Sequence, residues 1–138
     1  MSDHNDVVEK LSTQFKRKGF SAQTHGNNLP PGAGREGSIY RPDIIVRNTD
    51  GEIVWLVEVE SGSGEGGKAM AGAALLADVC MERMNVRGKP KLLFVFHRPD
   101  SNLQLAEKRL LALKGRLTTV ELVSPLSKNA ALQTIASL

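Results

Sequence analysis

The chain has 138 residues, a formal charge of +3 and a hydrophobic fraction of 41%, enough for one domain, 1–138, with a real core. The basic residues are dispersed rather than gathered in one tract, so the positive balance and a pI near 9.2 permit a nucleic-acid partner without requiring one. A lone cysteine, Cys80, excludes an intramolecular disulfide. The polar first residues and short apolar runs argue against a signal peptide or membrane span, so a cytoplasmic protein is expected.

Val7, Val8, Leu11 and Phe15 recur at helical spacing and predict a first helix over residues 6–18, capped by Asp3 or Asn5 and stopped by Gly19. A short strand near residues 20–24 follows. Residues 26–37 hold four glycines and Pro30-Pro31 and show no period, which predicts a long loop. Such a loop either wraps substrate through Arg35 or is a plain excursion. Two strands come next, over 41–46 and 53–60, joined by a turn at Asp50-Gly51. The glycine-rich run 62–67 invites comparison with a phosphate loop, but Glu65 would repel phosphate, and a linker explains it better.

Residues 67–84 read as a helix of small side chains, with Met70, Leu76, Cys80, Met81 and Met84 as its bulk. Leu92 to Phe96 is a continuous apolar run suited to a central strand covered on both faces. Ser101 or Asn102 can cap a further helix to Lys114, with Leu103, Ala106, Leu110 and Leu113 inward. Residues 119–123 predict a last strand and 126–138 a terminal helix. Hairpin-linked strands followed by strands alternating with helices predict an α/β fold, a mixed central sheet flanked by helices on both sides.

The hairpin carries the chemistry. Side chains alternate along a strand, so Glu58 and Glu60 share one face with Val54 and Leu56, while Ile53, Trp55, Val57 and Val59 take the other. A two-residue turn at Asp50-Gly51 sets Asp43 directly opposite Glu58. A four-residue loop sets it opposite Leu56, one diagonal step away, and a three-residue loop without a bulge turns it to the wrong face. Carboxylates crowded on an apolar surface repel one another and lose hydration, at a cost of several kcal/mol unless a cation is present. Magnesium or manganese supplies that charge, with Asp43, Glu58 and the Val59 carbonyl as oxygen ligands and Glu60 beside them. Two plainer readings compete: Asp43 as a turn or strand-edge residue, and Glu60 as the ion-pair partner of Arg41.

Pro42-Asp43, fourteen residues, then Glu58-Val59-Glu60 resembles the PD-(D/E)XK nuclease superfamily, and the order of elements extends the likeness over most of the chain. The resemblance implies a restriction endonuclease-like αβββαβ core. It also implies a divalent-metal-dependent endodeoxyribonuclease that hydrolyses DNA phosphodiester bonds. Asp43 and Glu58 would hold the metal, and Glu60 would orient the attacking water or a second ion. Glu60 stands where the family has lysine; some relatives use Glu-x-Glu, and others move the lysine to the next helix, where Lys68 stands. Lys68 then either steadies the scissile phosphate or is an ordinary solvated residue. A first-helix glutamate joins the metal in resolvase-like relatives, which makes Glu9 a candidate ligand.

The missing lysine also favours another class, a catalytically inactive nuclease-fold module that binds DNA or protein. A subunit of a larger nuclease assembly or a homodimer is a further expectation, because 138 residues leave little surface for gripping a duplex. The Gln-x-x-x-Tyr element of exonuclease-type relatives is missing after Lys68. His25 and His97, each closing a strand, are candidate proton carriers or phosphate contacts. His4 is expected in a frayed terminus, and a histidine-based zinc site is not expected.

Overall fold

The computed structural model describes residues 3–32, 34–61, 68–98 and 103–138, with the side chains of Arg35 and Lys68 outside that description. The linker 62–67 and the expected caps Ser101 and Asn102 therefore lie outside the described residues.

Helix α1 (Asp3–Arg17) buries Val7, Val8, Leu11 and Phe15, the expected stripe. It starts three residues earlier than the spacing suggests, and Asp3 is helical rather than a cap. Asp3 and Asp6 stand in its first turn and Lys16 and Arg17 in its last, each sign complementing the helix dipole. Gly19 ends it with φ +92°.

The sheet comprises β1 (Ser21–Gln23), β2 (Ile44–Arg47), β3 (Ile53–Glu60), β4 (Lys91–Phe96), β5 (Glu121–Leu122) and β6 (Leu126–Ser127). Its order is β1-β2-β3-β4-β5, with β6 also on β4. The first three strands pair antiparallel and the rest parallel, a mixed sheet as expected. One-turn α2 (Gly34–Gly37) interrupts the loop before β2. Helices α3 (Lys68–Met84) and α4 (Leu103–Leu111) form the crossovers, and α5 (Lys128–Ala136) closes the chain.

Two cores sit on opposite faces of the sheet. Ile45, Leu56, Leu92, Phe94 and Phe96 pack with Met70, Ala74, Ala77 and Met81 of α3 and Ala106 and Leu110 of α4. Ile44, Val46, Trp55, Val57, Leu93 and Val95 pack with α1 and with Ala131 and Ile135 of α5. Alanines at 74 and 77 bring α3 close to the strands. Of the helix's bulky residues Leu76 is 48% exposed, because the inward stripe runs through 70, 74, 77 and 81 and leaves 75, 76 and 79 outside.

The last strand differs most from expectation. It is split into β5 and β6 around Pro125, whose missing N–H cannot serve a ladder, although Val123 N still bonds Leu92 O at 3.2 Å. Helix α5 begins only at Lys128, where Ser127 Oγ accepts the Ala130 amide at 3.3 Å as its N-cap. Helix α4 ends at Leu111, and turns carry the chain on, with Leu113, Lys114 and Arg116 amides bonded three residues back.

Asp78 on α3 anchors the turn entering β5. Its Oδ1 accepts the amides of Thr118, Thr119 and Val120 at 3.0, 2.7 and 3.2 Å and the Thr119 hydroxyl at 2.7 Å. Burial alone would raise its pKa, yet these bonds hold it below the usual aspartate value. Asp78→Ala is expected to cost about 1–2 kcal/mol by urea denaturation, discounted for solvent screening of a half-buried group. Because the folded value is depressed, the contribution is complete above the unfolded aspartate pKa and vanishes as pH falls through the folded one. The variant and the wild type should therefore converge in acid.

Candidate metal centre

The hairpin reaches the register that sets Asp43 beside Glu58 by a route the sequence does not announce. Asn48 N–H bonds Glu52 O at 3.0 Å and Gly51 N–H bonds Asn48 O at 3.0 Å, so the loop holds three residues, 49–51, with Gly51 at φ +82°. A three-residue loop alone would misplace Asp43. The ladder then shifts between Val46 and Arg47: Arg47 pairs with Ile53 but Val46 with Trp55, leaving Val54 as a bulge. The shift restores the expected register, and Ile45↔Leu56 and Ile44↔Val57 lead directly to Asp43 and Glu58. It also exchanges two side chains: Ile53 joins the face of Leu56 and Val54 packs on the other, opposite to the uninterrupted alternation expected.

β2 starts at Ile44 rather than at Arg41. Pro42 cannot donate, and Asp43 bends out of the ladder so that its Oδ2 accepts the Val59 amide at 2.7 Å. The N–H and C=O of one strand residue face the same neighbour, so the Val59 carbonyl is directed to the β2 side, towards Asp43. Glu60 O faces the other way and accepts the His97 amide of the β4 segment at 3.1 Å.

Glu58 is only 8% exposed. Burial pushes its carboxyl up to about 8, the neighbouring Asp43 and Glu60 carboxylates add to the rise, and the Tyr40 hydroxyl and Asp43 amide oppose it. The buried Tyr40 hydroxyl nevertheless closes no hydrogen bond of good geometry. Its own pKa is raised well above the tyrosine value by burial and then by Glu58. Glu60 is raised by burial and by Asp43, while His4 pulls it down. Among the described residues Arg41 and Glu60 form no ion pair: the ladder stops at Ile44, so Arg41 never becomes a cross-strand neighbour.

His4 is the residue that sequence reasoning missed. Rather than fraying, it lies in the first turn of α1, with Nε2 3.3 Å from Asp43 Oδ2. Its ring meets that of His97 edge-on at 6.2 Å. His97 has a buried Nδ1 without a partner, and burial, His4 and Arg98 together depress its pKa. No spacing in the sequence links positions 4, 43 and 97, because the contact depends on α1 packing over one face of the sheet with its first turn beside Asp43.

Asn27 is the second omission. It is 2% exposed, and its Nδ2 donates to the carbonyls of Gln23, Pro42 and Asp43, each at 3.0 Å. It ties the loop after β1 to the backbone that presents Asp43. Asn27→Ala would leave these carbonyls without that donor, and a loss of about 2 kcal/mol in denaturant unfolding is expected, with weaker function through a displaced Asp43. Glu9 is exposed and lines a cleft of about 530 Å³ together with His4, His25, Arg41 and Asp43. Lys68 is the first residue of α3, as expected, but its side chain lies outside the described part.

Among the described residues no three His, Cys, Asp or Glu side chains form a group able to hold a metal ion. Asp43 and Glu58 with a backbone carbonyl still fit magnesium, which takes one or two carboxylates and completes its shell with water and substrate oxygens. Glu58 is raised first by burial and then by the neighbouring Asp43 and Glu60 carboxylates, and a cation at the site would offset both. No described helix is long and apolar enough to cross a membrane. Compared with protein-family models, with curated proteins and with solved structures, the chain finds no match.

Proposed function

We propose that this protein is a divalent-metal-dependent endodeoxyribonuclease of the PD-(D/E)XK type, working in the cytoplasm. The observation that supports it is the bulge-corrected register, which runs to Ile44↔Val57 and so brings the next residues, Asp43 and Glu58, to the same end of the hairpin, with the Val59 amide donating to Asp43 Oδ2 at 2.7 Å. Asp43, Glu58 and the Val59 carbonyl would hold magnesium or manganese. When bound, such an ion lowers the pKa of water and neutralises charge on a phosphate undergoing in-line attack. Glu60, half-buried beside Asp43, orients the attacking water by accepting its hydrogen bond. Lys68, opening α3, steadies the scissile phosphate, and His4 holds Asp43 from the α1 side.

The test is plasmid nicking with magnesium or manganese and with excess chelator. Cleavage that persists in chelator refutes the proposal. A second reading, a nuclease-fold module without turnover that binds DNA or protein, is favoured by the glutamate at position 60 and by the lack of a three-residue donor group among the described residues. Metal binding in titration calorimetry without nicking would select it. A homodimer or a larger assembly would extend the DNA-contacting surface, and mass in solution decides that point.

A further inference from the structure

The cleft beside Asp43 is built by three segments: the first turns of α1, the end of β1 with Thr24 and His25, and the run into β2 with Arg41. Its volume of about 530 Å³ lies in the range that encloses a small molecule of roughly nucleotide size. Duplex recognition instead calls for a broad surface. Its wall contains a polar side chain that is already desolvated: Asn27 is 2% exposed, and its buried Oδ1 has no hydrogen-bond partner. A ligand N–H reaching that oxygen would satisfy it with no further loss of hydration by Asn27. Arg41, which is exposed, and His25 provide positive charge and a ring edge on the same cleft, and Asp43 joins it to the candidate metal centre.

We propose that this cleft seats one nucleotide of a single-stranded stretch of DNA, immediately beside the phosphate presented to Asp43 and Glu58. The assignment rests on the nuclease reading and names its substrate form. The backbone phosphate lies by Arg41, away from the Glu9 carboxylate, and the base turns its N–H groups towards Asn27 and lies against His25. A paired base would first have to leave its duplex, at a cost in unstacking that single-stranded DNA does not incur.

The test measures anisotropy of a short fluorescein-labelled oligonucleotide with the full chain in chelator, single-stranded against the matched duplex. Single-strand binding about tenfold tighter than duplex binding is expected. Arg41→Ala should weaken it several-fold and reduce the salt slope by about 0.7. Thr24→Trp, which fills the cleft, should weaken it about tenfold, with circular dichroism reporting the fold of both variants. Duplex binding as tight as single-strand binding, or wild-type affinity in folded Arg41→Ala, overturns the assignment. Specific single-strand binding without metal-dependent nicking removes the nuclease reading and leaves the cleft as a nucleotide site. Nicking with KM unchanged in both variants removes the cleft and leaves the nuclease reading.

Discussion

Replacing Asp43 or Glu58 by alanine is expected to abolish plasmid nicking, by at least a thousandfold, while the circular dichroism spectrum stays that of the wild type. Two carboxylates that hold one cation act as a unit, so either loss removes most of the charge that positions the ion and the phosphate. The fold should tolerate both changes for different reasons. Asp43 stands outside the β2 ladder, where its carboxylate accepts one amide, that of Val59 at 2.7 Å, and the strand register is held by Ile44, Ile45 and Val46 on their β3 partners. Glu58 is buried with its carboxyl raised to about 8, so in the metal-free fold it forms no stabilising charge pair for the substitution to break. The double variant should be no less active than either single one. Wild-type nicking in either single variant would rule the metal centre out.

Glu58→Gln should stabilise the metal-free protein at pH 8 by a few kcal/mol, on the order of 3, while eliminating activity. Burial lifts the Glu58 carboxyl from 4.5 to about 8. Between those values the native protein keeps the proton and the unfolded chain releases it, so stability falls as pH rises through this window, with the loss complete above about 8. Glu60, also raised, acts in the same direction. Asp78 has the opposite sign and acts at the acid end. Urea melts from pH 4 to 9 would show the wild type losing stability towards alkaline pH, and the Gln variant losing much less.

Metal should reverse the trend. Magnesium or manganese binding only the native state stabilises it by about 2.7 kcal/mol at a hundredfold excess over Kd, and competition with the Glu58 proton makes the gain larger at pH 8 than at pH 6. Glu58→Gln should abolish the metal-dependent rise in Tm. A metal shift equal in the two proteins would show that Glu58 is no ligand, whatever the activity.

Why the hairpin was readable and its detail was not comes down to periodicity. Ile53 to Glu60 forms a strand because its side chains are branched or apolar and bounded by turn residues, and these preferences act locally. The same holds for the Val7, Val8, Leu11, Phe15 stripe and the Leu92 to Phe96 run. Loop length and bulge are different: Asn48 accepts the amides of Asp50 and Glu52 on its Oδ1 at 3.0 and 2.9 Å, selecting a three-residue loop over the two-residue turn implied by Asp50-Gly51. The one-residue excess then has to be absorbed at Val54, because Leu56 must remain in one core and Trp55 in the other. Burial on both faces enforces the register.

Spacing and composition alone therefore specified the types and order of the main elements, the mixed α/β sheet and the carboxylates at 43, 58 and 60, since each depends on neighbours within a few residues. Packing settled what lies far apart in the chain: His4 against Asp43 and His97, Asn27 under the Pro42 and Asp43 carbonyls, Asp78 on the Thr118 to Val120 amides, and Leu76 outside rather than in. Those contacts arise when α1 packs over one face of the sheet and α3 turns its alanines inward on the other, and a one-dimensional pattern carries no record of which distant groups that burial brings within hydrogen-bonding reach.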